Sequence, residues 1–255
     1  MEYHKLVISL LVLGCLYKYS TGYVPDLPAD IQKCTIADER CLLDGMNYVI
    51  RHYAATGSKE LGLVQLDPLR IKKLSLGKNP NSPVSIDLSF SNADLIGLSE
   101  AQVQRVSAFT SDLSRPIVFD MVSPKVTLKG PYSVEGRVLI LPVVGKGNAQ
   151  IVLENCQVHA VVKLSPVSKG AHQTYAEVTE VKMKLEPSRV TYKLDGLFNG
   201  QKELSENLHA LINENWREVF NELKSDISGA MGLIFKAVLN KTIGNLPLEQ
   251  LFSDF

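Results

Sequence analysis

The sequence predicts an α+β protein in which a long C-terminal helix packs against an antiparallel β-sheet. Three observations carry that expectation. Through the middle of the chain apolar and polar residues alternate, as Val84, Ile86, Leu88 and Phe90 do with Ser85, Asp87 and Ser89. Past Gln201 the period becomes that of a helix, with Leu204, Leu208, Leu211, Ile212, Trp216, Val219, Phe220, Leu223 and Ile227 on one broad stripe. Before the strands, Leu42, Met46, Val49, Ile50 and Tyr53 recur at three- and four-residue spacing and mark a shorter helix.

Residues Met1 to Gly22 have the layout of a signal peptide: Lys5 in a short polar start, an apolar block from Leu6 to Leu16, then Ser20, Thr21 and Gly22. The block is well short of the ~20 residues that a membrane-spanning helix needs. Cleavage after Gly22 is therefore expected, leaving residues 23–255 as a single secreted, extracellular domain without an integral membrane span. Secretion bears on the cysteines, because disulfides persist outside the cytosol. Of the 4 cysteines, Cys15 would leave with the leader. Cys34 and Cys41 form the natural local disulfide, credited by the chain-entropy model with about 2.5 kcal/mol. A zinc site would need further ligands at matching spacing, and no histidine lies beside the pair; a Cys-x-x-Cys redox pattern is missing too. Cys156 is left as a lone thiol, read as a small buried side chain.

The first helix is expected from Asp38 to Ala55, with Asp38 as its cap and Gly57 as its stop, so that the disulfide clamps its first turn to the incoming chain. From Leu61 strands and turns take over. Candidate strands follow at "VSIDLSF", "IVFDMV", "KVTLKG", "YSVEGRVLILPVV", "AQIVLENCQVHAVVKL", "YAEVTEVKMKLE" and "RVTYKLDGLF". Pro124, Pro131, Pro142, Pro166 and Pro187 cannot donate to a ladder and should mark strand ends, edges or bulges. The C-terminal stripe is wide enough to suit a helix lying in a concave sheet. One helix or two would equally account for Glu203 to Leu239, with Gly229 and Gly232 as possible bends.

Composition narrows the chemistry. Lysine and arginine number 27, aspartate and glutamate 27, and net charge is zero, falling to one negative charge once Glu2, Lys5 and Lys18 are removed. A nucleic-acid binder would carry a strong basic excess, and no polybasic run addresses anionic lipid. The string Gly97-Leu98-Ser99-Glu100-Ala101 lacks the final glycine of a nucleophile elbow. Cys156 and His159 would point to opposite faces if their segment is a strand. His52, His172 and His209 stand alone, and Gly145-Lys146-Gly147 reads as a hairpin turn rather than a dinucleotide loop. No metal motif or cofactor motif is present, and no enzyme is expected. Asn240-Lys241-Thr242 matches a glycosylation acceptor.

The order of landmarks resembles the insect takeout and haemolymph juvenile-hormone-binding protein family over nearly the whole chain after the leader. These landmarks are the Cys34/Cys41 pair, Leu66-Asp67-Pro68-Leu69, "SNADLIGLS" at Ser91 to Ser99, and Gly130-Pro131-Tyr132-Ser133-Val134-Glu135-Gly136 leading into Leu141 to Gly147. They end with "YKLDGLFNGQKELSENLHALINENW" from Tyr192 to Trp216 and a tail holding Pro247, Leu251 and Phe252. The resemblance implies a long helix wrapped by a strongly curved antiparallel sheet that encloses an apolar tunnel for an elongated, lipid-like ligand. It also implies links to feeding, circadian output or hormone signalling. The hormone-carrying branch has a second disulfide, for which Cys156 lacks a later partner; this favours the takeout branch.

Periodicity alone fits a filled core as well as one with a cavity. The function expected is a monomeric, secreted carrier that holds a hydrophobic small molecule, such as a terpenoid or fatty-acid derivative, without any cofactor. The alternative is a solid-cored protein acting through its surface on a receptor or partner. Expected lining residues are Leu204, Leu208, Leu211, Ile212, Val219, Val126, Leu128, Val134, Val138 and Ile140, with Asn215 and Tyr132 as polar contacts.

Overall fold

The computed structural model describes residues 27–169 and 173–255, so the expected leader, Cys15 and His172 lie outside the described residues. Helix α1 runs Glu39–Tyr53 and is followed by seven strands: β1 Leu69–Leu76, β2 Val84–Ile96, β3 Gln102–Val106, β4 Ile117–Val138, β5 Leu141–Ser168, β6 Thr174–Glu186 and β7 Arg189–Leu194. Helices α2 Lys202–Glu214, α3 Trp216–Thr242 and α4 Leu248–Leu251 complete the chain. Asp38 caps α1 as expected, its Oδ1 accepting from the Cys41 N–H at 2.9 Å. Cys34 and Cys41 are joined as a disulfide. Cys34 also bridges to Phe252 and accepts from the Ser253 N–H, so the staple ties α1 to the C-terminal tail as well.

All seven strands form one antiparallel sheet in the order β1-β2-β4-β5-β6, with β3 beside β4 and β7 beside β5. The separate runs expected between residues 117 and 168 are in fact two very long strands joined at Leu139 and Ile140. Their prolines do not end them. Pro131 sits where the pairing with β2 skips from Phe90 to Asp94, and Pro124 where β4 has passed β3 but not yet met β2. Pro142 and Pro166 lie in parts of β5 paired on one side only. A missing N–H costs nothing where no partner strand waits for it. Of the five, only Pro187 separates two strands, β6 and β7.

Register shifts put an extra residue in β2, β3 and β6, and each such bulge bends its strand and adds twist. The result is a sheet that curls without closing. Helix α3 contacts β6 at one edge and β1 at the other. A flat sheet would hold those edges roughly 19 Å apart, beyond the ~10 Å width of a helix. The sheet is therefore wrapped around α3.

Helices α1, α2 and α3 are each sewn to a sheet edge by one asparagine. Asn47 of α1 donates to the Val103 carbonyl and accepts from the Val103 N–H; Asn213 of α2 does the same for Tyr192, and Asn240 of α3 for Val178. The amide imitates the next strand, so the edges β3, β7 and β6 have these peptide groups satisfied. Asn240, the expected glycan acceptor, thus has both amide atoms committed to β6.

The long C-terminal stripe is two helices rather than one. The break falls at Asn215 (φ −102°, ψ 32°), not at the glycines. Gly229 has open space where a side chain would begin, whereas at Gly232 a Cβ would stand 2.5 Å from the Val181 carbonyl oxygen. Gly232 is there for close helix–sheet approach, and α3 continues through it.

Candidate ligand-binding cavity

Wrapping leaves space between the sheet and α3. A first chamber of about 170 Å³ is walled by the inner faces of β2, β4 and β5, by Tyr192 and Leu194 of β7, and by Leu208, Ile212, Val219, Phe220 and Leu223 of α2 and α3. A second, more open chamber of about 360 Å³ lies under α1, with Leu42, Met46, Val49 and Ile50, and reaches Leu251 and Phe252 near the C-terminus. For scale, a cavity of about 150 Å³ lined by Leu, Ile and Phe stays dry and takes up benzene. Leu98, Ala101, Met121, Met183 and Phe235 line both chambers, so the two meet end to end at this waist.

The waist is held from outside. Asp67, just before β1, accepts from the backbone N–H groups of Gly97 and Ser99, each at 3.0 Å, and from the Ser99 hydroxyl. Burial raises the Asp67 pKa, but the Ser99 hydroxyl and the Gly97 and Ser99 N–H groups outweigh it and hold the carboxyl below its ordinary value. Gly97 has φ 100° and lies so close to Lys125 that a Cβ would overlap its carbonyl oxygen. The two landmark segments around Asp67 and Gly97 therefore clamp each other, and their joint product is the position of Leu98 and Ala101.

The lining is almost wholly aliphatic and aromatic. No Lys, Arg, His, Asp or Glu is among the described residues that line either chamber. In the first chamber the polar side chains are Ser123, Cys156 and Tyr192. The Ser123 hydroxyl donates to the Gly97 carbonyl at 3.2 Å. Cys156 is 2% exposed, and burial pushes its thiol pKa up to about 11. His159 turns outward instead and meets Asp120 at 2.6 Å, so the face argument that separates it from Cys156 holds. His209 accepts from the Leu194 N–H through Nε2 and donates from Nδ1 to the Ser205 carbonyl, a structural role beside Asn213.

Of the residues expected to line a cavity, Leu208, Ile212, Val219, Val126, Leu128, Val134 and Val138 border the first chamber. Five others do not. Ile140 is 89% exposed at the tip of the β4–β5 hairpin, because the strand ends before it. Leu204 is 46% exposed at the start of α2, and Leu211 is half-buried outside the lining. Tyr132 is buried but donates to the Asp195 carbonyl at 2.9 Å. Asn215 donates from Nδ2 to the Leu211 carbonyl at 2.8 Å, completing the helix break. Missed were the whole second chamber, the waist, and Tyr192, whose strand alternation with Val190 and Leu194 marked its face but not the space in front of it.

A curled sheet wrapped round one helix, with an apolar interior in two adjoining chambers, defines a hollow α+β protein. The chain belongs to the haemolymph juvenile hormone binding protein family, whose sequence profile matches residues 8–253. The circadian clock-controlled protein daywake of Drosophila melanogaster is 25% identical, over 94% of this chain and 92% of its own length. The daywake protein of Drosophila yakuba is 24% identical over 99% of each chain. Among solved structures, Takeout 1 of Epiphyas postvittana superposes with a TM-score of 0.74 at 24% identity, covering 87% of this chain and 99% of that one. That likeness shows that the two proteins share this fold.

Proposed function

We propose that this protein is a secreted, monomeric carrier that holds an elongated hydrophobic small molecule, of terpenoid or fatty-acid type, in the adjoining chambers. The observation that carries this reading is the uncharged, aliphatic lining of both chambers and their meeting at Met121, Met183 and Phe235. Burying about 400 Å² of ligand surface at roughly 25 cal/mol per Å² stabilises a complex by ~10 kcal/mol before ordering and translational losses. Micromolar or tighter binding needs no ion pair. The family profile supports a hydrophobic ligand, and the layout of Met1 to Gly22 supports export with cleavage after Gly22. A solid-cored protein acting only through its surface would have no use for two apolar chambers.

The test is to purify the protein from the cells that export it, extract it, and identify bound lipid by mass spectrometry, alongside displaceable uptake of a fluorescent fatty acid. Co-purifying lipid and saturable uptake are expected. Absence of both returns the surface-acting reading, and product formation from a lipid ester would make it an enzyme.

A further inference from the structure

The hairpin between β4 and β5 ends in a bare apolar tip. Among the described residues seven Leu, Ile and Val side chains are exposed, and four of them, Leu139, Ile140, Leu141 and Val144, belong to this one hairpin. Ile140, at 89%, is the most exposed of the seven. From Val138 to Gly145 the sequence contains no polar side chain. Val138 pairs with Leu141, so Leu139 and Ile140 are the two turn residues. A two-residue hairpin turn favours Gly or Asn, because its backbone enters the left-handed region. Leu139 nonetheless stands there, at φ 56°. A bulky aliphatic residue at that place costs backbone strain and exposed apolar surface, where Gly-Asn would form the turn at neither cost. The strands stay paired up to the turn, and the Leu139 N–H donates to the Pro83 carbonyl at 2.7 Å, which braces the tip against the segment before β2. Arg137, exposed and opposite Pro142, is the charged residue nearest the turn along β4 and β5. On the inward face, Val138 and Val143 line the first chamber.

We propose that this tip is a wedge that enters a phospholipid surface, with Ile140 among the acyl chains and Arg137, three residues or roughly 10 Å back along β4, level with the headgroup phosphates. Size and charge decide the occupant. A stable protein–protein contact takes about 800 Å² from each partner, and four aliphatic side chains at a turn supply only part of that. A lipid surface asks for less, since a few apolar side chains sink below the headgroups while the cation stays wet. The flank is mixed rather than basic: Glu135 is paired with Lys78 at 3.2 Å, and Asp87 faces Glu135 from β2. Apolar insertion, not attraction between opposite charges, therefore holds the tip, and phosphatidylcholine is a sufficient surface. Docking goes beyond the carrier reading and stands without it. Where both hold, the first chamber lies directly behind the docked tip, on the shortest path for a ligand dissolved in the membrane.

The experiment sediments the full secreted protein with vesicles of phosphatidylcholine, alone or with added phosphatidylserine, in physiological and in high salt. Wild type is expected to sediment with phosphatidylcholine alone and to keep doing so in high salt. Ile140→Asp should lower the vesicle partition coefficient about tenfold or more, while its uptake of the apolar fluorophore N-phenyl-1-naphthylamine in vesicle-free solution matches wild type. The double variant Leu139→Gly with Ile140→Asn suits the turn, and should melt at or above the wild-type temperature yet lose vesicle binding. Wild type that stays in the supernatant overturns the wedge. So does sedimentation that needs phosphatidylserine and vanishes in high salt, or equal sedimentation of wild type and both variants. A dimer of wild type that Ile140→Asp abolishes, without vesicle binding, overturns it in favour of a second copy. Failure of wild type to take up the fluorophore fells the carrier reading, which is a different result from a tip that does not dock.

Discussion

Asn240 holds both the N–H and the carbonyl of Val178, at 2.8 and 3.0 Å, so that one side chain of α3 occupies the place of a neighbouring strand on the edge of β6. The same device recurs at Asn47 with Val103 and at Asn213 with Tyr192. Helix and sheet are thereby locked in register on both sides of the interior space. An apolar contact alone would let the helix slide into the void; a two-point amide contact does not.

Asn240→Asp keeps the size of the side chain but removes its donor and sets a carboxylate against the Val178 carbonyl. We expect a loss of about 1–3 kcal/mol in urea unfolding, more than for loss of a single exposed hydrogen bond. An unchanged midpoint would mean that the amide pairing does not hold α3 in place.

The Asp67–Ser99 clamp predicts a pH dependence. The folded-state pKa of Asp67 lies below its unfolded value, so the folded protein binds the proton less readily than the unfolded chain. The stabilisation is fully present above about pH 4 and is lost as pH falls through the depressed native value. Asp67→Asn should cost about 1–2 kcal/mol at pH 7, allowing for solvent screening of a half-buried group. The gap to wild type should narrow in acid; a gap that stays constant from pH 7 to pH 3 would contradict the assignment. Because the clamp positions Leu98 and Ala101, the variant should also weaken uptake of long ligands more than short ones.

Two glycines of α3 make a matched pair. Gly232→Ala places a Cβ against the Val181 carbonyl and must push the helix off β6, with an expected cost of about 1–3 kcal/mol. Gly229→Ala meets open space and should stabilise by about 0.5–1 kcal/mol through helix propensity. Thermal melts of the two variants should move in opposite directions.

Cys156 offers a probe inside the first chamber. With its pKa held near 11 by burial, roughly a thousandth of it is thiolate at pH 8, and the side chain is 2% exposed. A thiol reagent such as dithionitrobenzoate should leave native protein unmodified for hours and label one thiol at once in guanidinium. Fast native labelling would mean that the chamber opens readily to solvent.

Much was legible in the sequence because it is local. The Leu42–Tyr53 and Leu204–Ile227 stripes, the alternation of Val84 to Phe90, the Asp38 cap and the Cys34–Cys41 pairing each depend on neighbours a few residues away, and periodicity records them directly. The prolines fall at ends, edges and a bulge as expected, but which of these each one marks was not legible: whether Pro124 or Pro131 ends a strand or lies within one depends on which strand lies beside it, and that is a long-range fact. Ile140 and Leu204 carry the right residue type for a lining, but the hairpin tip and the helix start carry them out to solvent. Tyr132 and Asn215 were reasonable polar contacts until the Asp195 and Leu211 carbonyls took their donors.

By itself, then, the sequence determined the order and type of elements and which face of each is apolar, since side-chain period follows from backbone geometry. Only the tertiary structure decided that the apolar faces enclose space instead of filling it, and that two chambers meet at Met121, Met183 and Phe235. The curl of the sheet sets that volume, and the curl is a sum of bulges and edge contacts between residues far apart in the chain. No pattern within one segment encodes such a sum.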